Sequence, residues 1–213
     1  MKIFLDFDDV LFNTNKFIRD EKSIFKKNKI SEEIFKKYYY RYTKGKKGKS
    51  VRKYSLKKQL QGIKNELGIS TEKIERDLND FLNNTSKYIF NDVVLFLRQF
   101  KKEELFLVSY SKTEFQKNKI KNSRISEYFK KIIITNGKKS EEILKIIKKR
   151  KNYKEELFFI DDRADYILDV KKKVSEIKTF LVRRREGRHQ NNINKHCDFV
   201  VKDLNKVLKI IKK

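Results

Sequence analysis

The chain has 213 residues, with 55 Lys and Arg against 29 Asp and Glu, a formal net charge of +26, no Pro, and a single cysteine. Cys197 has no second cysteine to join, which excludes a disulfide scaffold. No run approaches the roughly 20 apolar residues of a membrane-spanning helix, and the length suits one domain or one core with an insertion. The start, Met1-Lys2-Ile3-Phe4-Leu5-Asp6, turns acidic too early for a signal peptide. The expectation is a cytoplasmic monomer with no membrane partner. Lys far outnumbers Arg, and Ile, Asn, Phe and Tyr are abundant, so compositional bias explains the charge as well as a basic-binding role does. Attraction to polyanions at low salt follows from such a charge; specificity does not.

In chain order, Ile3-Phe4-Leu5 is the first run that is apolar at every position, as in a strand buried on both faces of a parallel sheet. Residues 13–89 then carry helical periodicity with no convincing buried strand: Phe17/Ile18, Ile24/Phe25, Ile34/Phe35, then helices over 52–67 and 71–84. Gly68 is placed to stop the first of these last two and Ser70 to cap the second. A helix is expected over 91–102, then the strand Leu105-Phe106-Leu107-Val108 before Ser109, and a helix over 112–122. Ile132-Ile133-Ile134 follows, then a helix over 139–150, the strand Leu157-Phe158-Phe159-Ile160 before Asp161, and a helix over 163–173. Strands at 178–183 and 198–201 and a helix over 203–212, N-capped by Asp203, complete the chain. The alternation predicts an α/β fold with a Rossmann-like, doubly wound parallel sheet from residues 1–12 and 90–213, interrupted by a helical insertion over 13–89.

In such sheets ligands gather at the carboxyl ends of the strands. Asp6 and Asp8 leave the first strand two residues apart: one carboxylate can act as a nucleophile, the other can move a proton. Ser109 offers a hydroxyl for a phosphoryl oxygen, although a serine after a strand usually serves a turn. Lys138 and Lys139 place ammonium groups at a helix start, the unfavourable end of its dipole, which suggests an anion nearby. Asp161 and Asp162, with Asp165 beyond them, repel one another unless a cation compensates; Mg²⁺ suits a small carboxylate set.

The order Asp6-Phe7-Asp8-Asp9-Val10-Leu11, Ser109, Lys139 or Lys138, and Asp161-Asp162 closely resembles the four motifs of the haloacid dehalogenase-like (HAD) superfamily. The spacing to Ile143 and Leu144 favours Lys139 as the third-motif lysine. Phe90-Asn91-Asp92-Val93 and Asp198-Phe199-Val200-Val201 add to the likeness, which spans residues 1–12 and about 90–213. Two departures stand out: the position after Asp8 is often Gly and here is Asp9, and the lysine is often followed by Pro and here by Ser140.

The resemblance implies a HAD core with a helical C1-type cap over 13–89. It implies that Asp6 attacks phosphorus to form an aspartyl phosphate and that Asp8 protonates the leaving group and then activates water. Ser109 and the lysine would hold the transferring oxygens. Mg²⁺ would lie among Asp6, the backbone carbonyl of Asp8, and Asp162 in preference to Asp161. An acid at Asp8 points away from dehalogenation, because a halide leaves without a proton. The expected activity is that of a Mg²⁺-dependent phosphatase acting on a small phosphorylated metabolite or nucleotide. A phosphomutase, and a nucleic-acid-binding protein or nucleic-acid-end phosphatase, are the alternatives.

Residues 38–58 hold nine basic residues, five tyrosines and no acid, a stretch suited to an anionic substrate or to nucleic acid through stacking, or simply to a solvated loop. The run Arg183-Arg184-Arg185-Glu186-Gly187-Arg188-His189 reads as surface decoration, with a remote phosphate subsite as its alternative. His189, His196 and Cys197 make a poor zinc set.

Overall fold

Chain order in the computed structural model runs β1 (Lys2–Leu5), α1 (Thr14–Lys27), α2 (Glu32–Tyr39), β2 (Tyr42–Lys44), β3 (Ser50–Arg52), α3 (Leu56–Leu67), α4 (Glu72–Asn83) and α5 (Val93–Leu97). There follow β4 (Leu105–Tyr110), α6 (Glu114–Asn122), β5 (Lys131–Thr135), α7 (Lys139–Ile147), β6 (Leu157–Asp161), α8 (Ala164–Lys173), β7 (Lys178–Val182), β8 (Phe199–Val201) and α9 (Leu204–Ile211). The structure describes residues 1–39, 42–44, 50–52, 55–111, 113–148, 155–190 and 195–213.

Six strands form one sheet in the order β5-β4-β1-β6-β7-β8, and every pairing is parallel. The apolar runs become its centre because each strand there is covered on both faces. Alternate residues divide between two cores: Ile3, Leu5, Leu105, Leu107, Phe158, Ile160, Phe180 and Val182 face one side, packed with residues of α5, α6 and α9. Phe4, Phe106, Val108, Phe159 and Leu181 face the other, against α7 and α8. The fold is therefore the doubly wound α/β sheet expected from the alternation. The chain enters at β1, builds outward through β4 and β5, then crosses to β6, so the order reverses at β1. Ligand crevices open at such a switch, beyond the strands' carboxyl ends.

Between β1 and β4 the chain is mostly helical. Phe25, Ile30, Phe35, Tyr38, Tyr39, Leu60, Ile63, Ile74 and Leu78 form a separate apolar cluster within this insertion. Phe17, Phe81 and Tyr88 instead join the core on one sheet face, and so tie α1 and α4 to it. Gly68 stops α3 at φ 63°, its N–H donating to the Lys64 carbonyl. Thr71 occupies the N-cap position of α4, while the Ser70 hydroxyl accepts from Glu72 N. Asp203 caps α9 by accepting from Lys206 N at 2.9 Å. Two features differ from expectation. The helix over 91–102 is only α5, followed by a 3₁₀ turn at 102–104. The insertion also contains a short antiparallel pair, β2 with β3, which is too short and polar for an alternating pattern to reveal. No helix among the described residues is long and apolar enough to cross a membrane.

Candidate active site

The loop after β1 is a tight turn that buries its apolar residues. Leu11 N and Phe12 N both donate to the Phe7 carbonyl, at 2.9 and 3.0 Å, and Asp9 N donates to the Phe12 carbonyl. Phe7, Val10, Leu11 and Phe12 are fully buried. Asp9 adopts φ 59°, the left-handed region that favours glycine, which accounts for the residue type common at this position in the motif. Its carboxylate accepts from Arg188 Nε at 2.5 Å.

Asp6, Asp161 and Asp162 converge, one carboxylate oxygen from each lying within 4.8 Å of the others, and all three residues are buried. Lys139 reaches into this group from the first turn of α7, its Nζ 2.7 Å from Asp6 Oδ1 and 2.7 Å from Asp161 Oδ2. Asp161 Oδ1 accepts the Arg163 backbone N–H at 2.9 Å. Burial alone would lower the Lys139 pKa, but Asp161 and Asp6 outweigh it and keep the ammonium charged. Asp162 is less well served: its Oδ2 is buried without a hydrogen-bond partner. Burial, then the charges of Asp161 and Asp6, push its carboxyl up to about 9. Burial likewise raises Asp6 above the ordinary carboxylate range, with Lys139 pulling the other way.

Asp8 faces differently. Its Oδ1 accepts from Thr14 Oγ1 at 2.8 Å and from Lys119 Nζ at 2.5 Å, and its Oδ2 accepts from Gln116 Nε2 at 2.8 Å. Burial would raise this carboxyl, but Lys119 and Arg188, with the hydrogen bonds from Lys119 and Thr14, outweigh it and hold the group well below the usual range. Gln116 also donates to Ser109 Oγ at 3.0 Å, which joins the end of β4 to the same cluster.

A cavity of about 510 Å³ opens over these groups, lined by Asp6, Asp8, Ser109 and Asp162, by Thr14, Phe17, Ile18 and Tyr39 of the insertion, and by Arg163, Tyr166, Arg188 and His189 among others. A larger cavity of about 850 Å³ runs along β5 and is lined by none of these acids, so the smaller one is the candidate site.

No family model and no curated protein matches the chain. Solved structures do. A haloacid dehalogenase-like hydrolase from Burkholderia xenovorans LB400 superposes with a TM-score of 0.71 at 16% identity, covering 98% of this chain and 94% of its own. The magnesium-bound HAD-hydrolase YfnB of Bacillus subtilis gives 0.63 at 12% identity, covering 100% and 98%. A phosphatase from Clostridium difficile gives 0.62 at 18% identity, covering 98% and 97%.

The chain has the haloacid dehalogenase-like fold. Within the HAD fold the four stretches read as motifs occupy the carboxyl ends of β1, β4 and β6 and the start of α7. Asp6, Lys139, Asp161 and Asp162 come together; Asp8 and Ser109 sit beside them, bridged by Gln116. Lys138 is exposed at the N-cap position of α7, away from the acids that Lys139 reaches. The arginine run is a correction to the surface reading. Arg183 donates to the Asp162 carbonyl at 2.6 Å, Arg184 is buried against Asp92 and the Val10 carbonyl, and Arg188 reaches Asp9. Of the basic stretch 38–58, residues 40, 41, 45–49, 53 and 54 lie outside the described residues.

Thr14, Gln116, Lys119 and Arg188 were not among the expected site residues. Two of them carried a readable sign: Gln116 and Lys119, three apart, share a face of α6, and with Ile120 they are the residues that helix buries.

Proposed function

We propose that this protein is a Mg²⁺-dependent phosphatase that hydrolyses the phosphate monoester of a small metabolite or nucleotide through an aspartyl phosphate on Asp6. The observation that carries this reading is Lys139, buried and within 2.7 Å of both Asp6 and Asp161, beside an Asp162 oxygen that has no hydrogen-bond partner. Three converging carboxylates with one surplus oxygen form a hard-oxygen donor set that suits Mg²⁺. Asp6, Asp161 and Asp162 would hold the ion, with the Asp8 carbonyl as a further ligand, and bound there it offsets negative charge between phosphate and carboxylate.

The chain's own residues account for the remaining chemistry. Lys139 offsets the repulsion between Asp6 and an anionic phosphoryl group, and Ser109 stands at the end of β4 to hold a phosphoryl oxygen. An Asp6 oxygen bonds to phosphorus as the bond to the leaving oxygen breaks, and that oxygen takes the electron pair and a proton from Asp8. Asp8 rests ionised, so the proton arrives with the substrate: a phosphate monoester keeps one below its second pKa of about 6. In the second half Asp8 takes a proton from water, the water oxygen bonds to phosphorus, and the Asp6 carboxylate departs, leaving orthophosphate.

Dehalogenases share this fold with phosphatases, so the fold does not choose between them. Asp8 supports the phosphatase reading, because halide departure needs no proton. The insertion, which lines one side of the cavity with Thr14, Phe17, Ile18 and Tyr39, acts as the lid that meets the leaving group. The test is hydrolysis of p-nitrophenyl phosphate with Mg²⁺. Asp6→Asn should lower kcat by about a thousandfold or more, and EDTA should remove activity until Mg²⁺ is restored. Undiminished turnover by Asp6→Asn would sink the mechanism.

A further inference from the structure

Every face of a helix buried against a core is normally apolar, and a buried lysine costs several kcal/mol unless it is paired. α6 breaks that rule at Lys119. Its side chain is 5% exposed, its ammonium lies 4.9 Å above the Phe12 ring and 5.4 Å above that of Phe7, and its partner is Asp8. The two site lysines divide the acids: Lys139 serves Asp6 and Asp161, Lys119 serves Asp8. With Thr14 and Gln116, Lys119 occupies both Asp8 oxygens while that carboxylate lines the cavity outside the Asp6–Asp161–Asp162 group.

We propose that Lys119 is a positioning residue: its ammonium holds the Asp8 carboxylate towards the cavity and away from the metal-binding acids, so that Asp8 meets the leaving oxygen. This rests on the phosphatase reading above. The physical need is plain. Asp6 and Asp8 are like charges two residues apart, and a carboxylate without a cation of its own would compete for the ion that Asp6, Asp161 and Asp162 share. Among the described residues Lys119 is the cation in contact with Asp8; Arg188 is bonded to Asp9 instead. The Lys119 backbone carbonyl accepts from Thr85 Oγ1 at 3.1 Å, a contact that a side-chain substitution leaves in place.

The test compares two substrates of the full-length protein with Mg²⁺: p-nitrophenyl phosphate, whose leaving group departs with little help, and phenyl phosphate, whose leaving group needs a proton. Lys119→Met should lose about tenfold on the first and about a hundredfold or more on the second, within the span that general acid catalysis supplies. Lys119→Arg should restore the ratio, and Asp8→Asn/Lys119→Met should be no slower than Asp8→Asn alone. Equal losses on both substrates, or losses that multiply in the double variant, would overturn the proposal. If Lys119→Met does not fold, Lys119→Gln is read the same way. Turnover that survives in Asp6→Asn condemns the aspartyl-phosphate reading instead. If the wild type hydrolyses neither substrate, the crystal structure of the Lys119 variant decides: an Asp8 carboxylate turned away from the cavity supports the positioning role, and an unmoved one refutes it.

Discussion

Asp162 is the residue whose surroundings suit it least. A carboxylate buried beside Asp161 and Asp6, with one oxygen unbonded, binds a proton in the folded state that the unfolded chain releases in the ordinary carboxylate range. The folded state then holds more protons than the unfolded one between about pH 4 and about pH 9, so this group's share of stability falls as pH rises. We expect the thermal midpoint of the metal-free protein to decline across that window, and Asp162→Asn to flatten the decline. Mg²⁺ requires the ionised ligand, so its stabilising effect should be larger at about pH 8.5 than at about pH 6. Thermal scans of both proteins with and without Mg²⁺ check this; parallel pH profiles for wild type and variant would contradict it.

At the level of elements, the packing of α2 on α3 gives a prediction whose sign runs against helix propensity. Gly62 sits within α3, where Ala would ordinarily gain up to about 1 kcal/mol. Here the added Cβ would fall inside the Tyr38 ring of α2, and Tyr38 is anchored by its hydroxyl on Glu66. Overpacking costs about 1–3 kcal/mol, so Gly62→Ala should be net destabilising, read as a lower denaturation midpoint in urea. Had Tyr38 faced solvent, the same change would stabilise. The other element of note is α6, which spends its buried face on Gln116 and Lys119. Such a departure from local rules is the pattern expected at a functional site.

Across the whole molecule, Arg184 joins parts far apart in sequence. Its guanidinium grips both Asp92 oxygens at 3.1 and 2.9 Å, donates to the Val10 carbonyl at 2.9 Å, and lies 3.9 Å from the Phe90 ring centre. Asp92 in turn accepts Leu204 N at the start of α9. The loop after β1, the start of α5, the turn after β7 and the start of α9 thus share one buried ion pair. Arg184→Met would leave the buried Asp92 carboxylate without its cation and should cost about 3–5 kcal/mol, measured by urea denaturation. Arg188 extends the same turn to Asp9, so the loop after β1 is braced from the far half of the sheet. The net charge of +26 belongs to a lysine-rich chain, whereas the site gathers acids: Asp6 and Asp161 share Lys139, Asp8 pairs with Lys119, and Asp9 pairs with Arg188.

By itself the sequence determined the central sheet and its acids. Strands buried on both faces must be apolar throughout, so Ile3–Leu5, Leu105–Val108 and Leu157–Ile160 announce themselves, and the polar residue ending each run marks a carboxyl end. Asp6, Asp8, Ser109 and Asp161-Asp162 sit within a few residues of those ends, so their place in the fold was legible along the chain. Spacing favours Lys139 over Lys138, but only the phase of α7 against β6 shows one ammonium among the acids and the other exposed. Tertiary structure alone brought Lys119 to Asp8 across 111 residues and turned Arg184, within a run with the look of a solvated surface, into a buried brace. Local patterning reports which residues lie inside; which charge meets which depends on how separate elements pack, and no short window of sequence contains that.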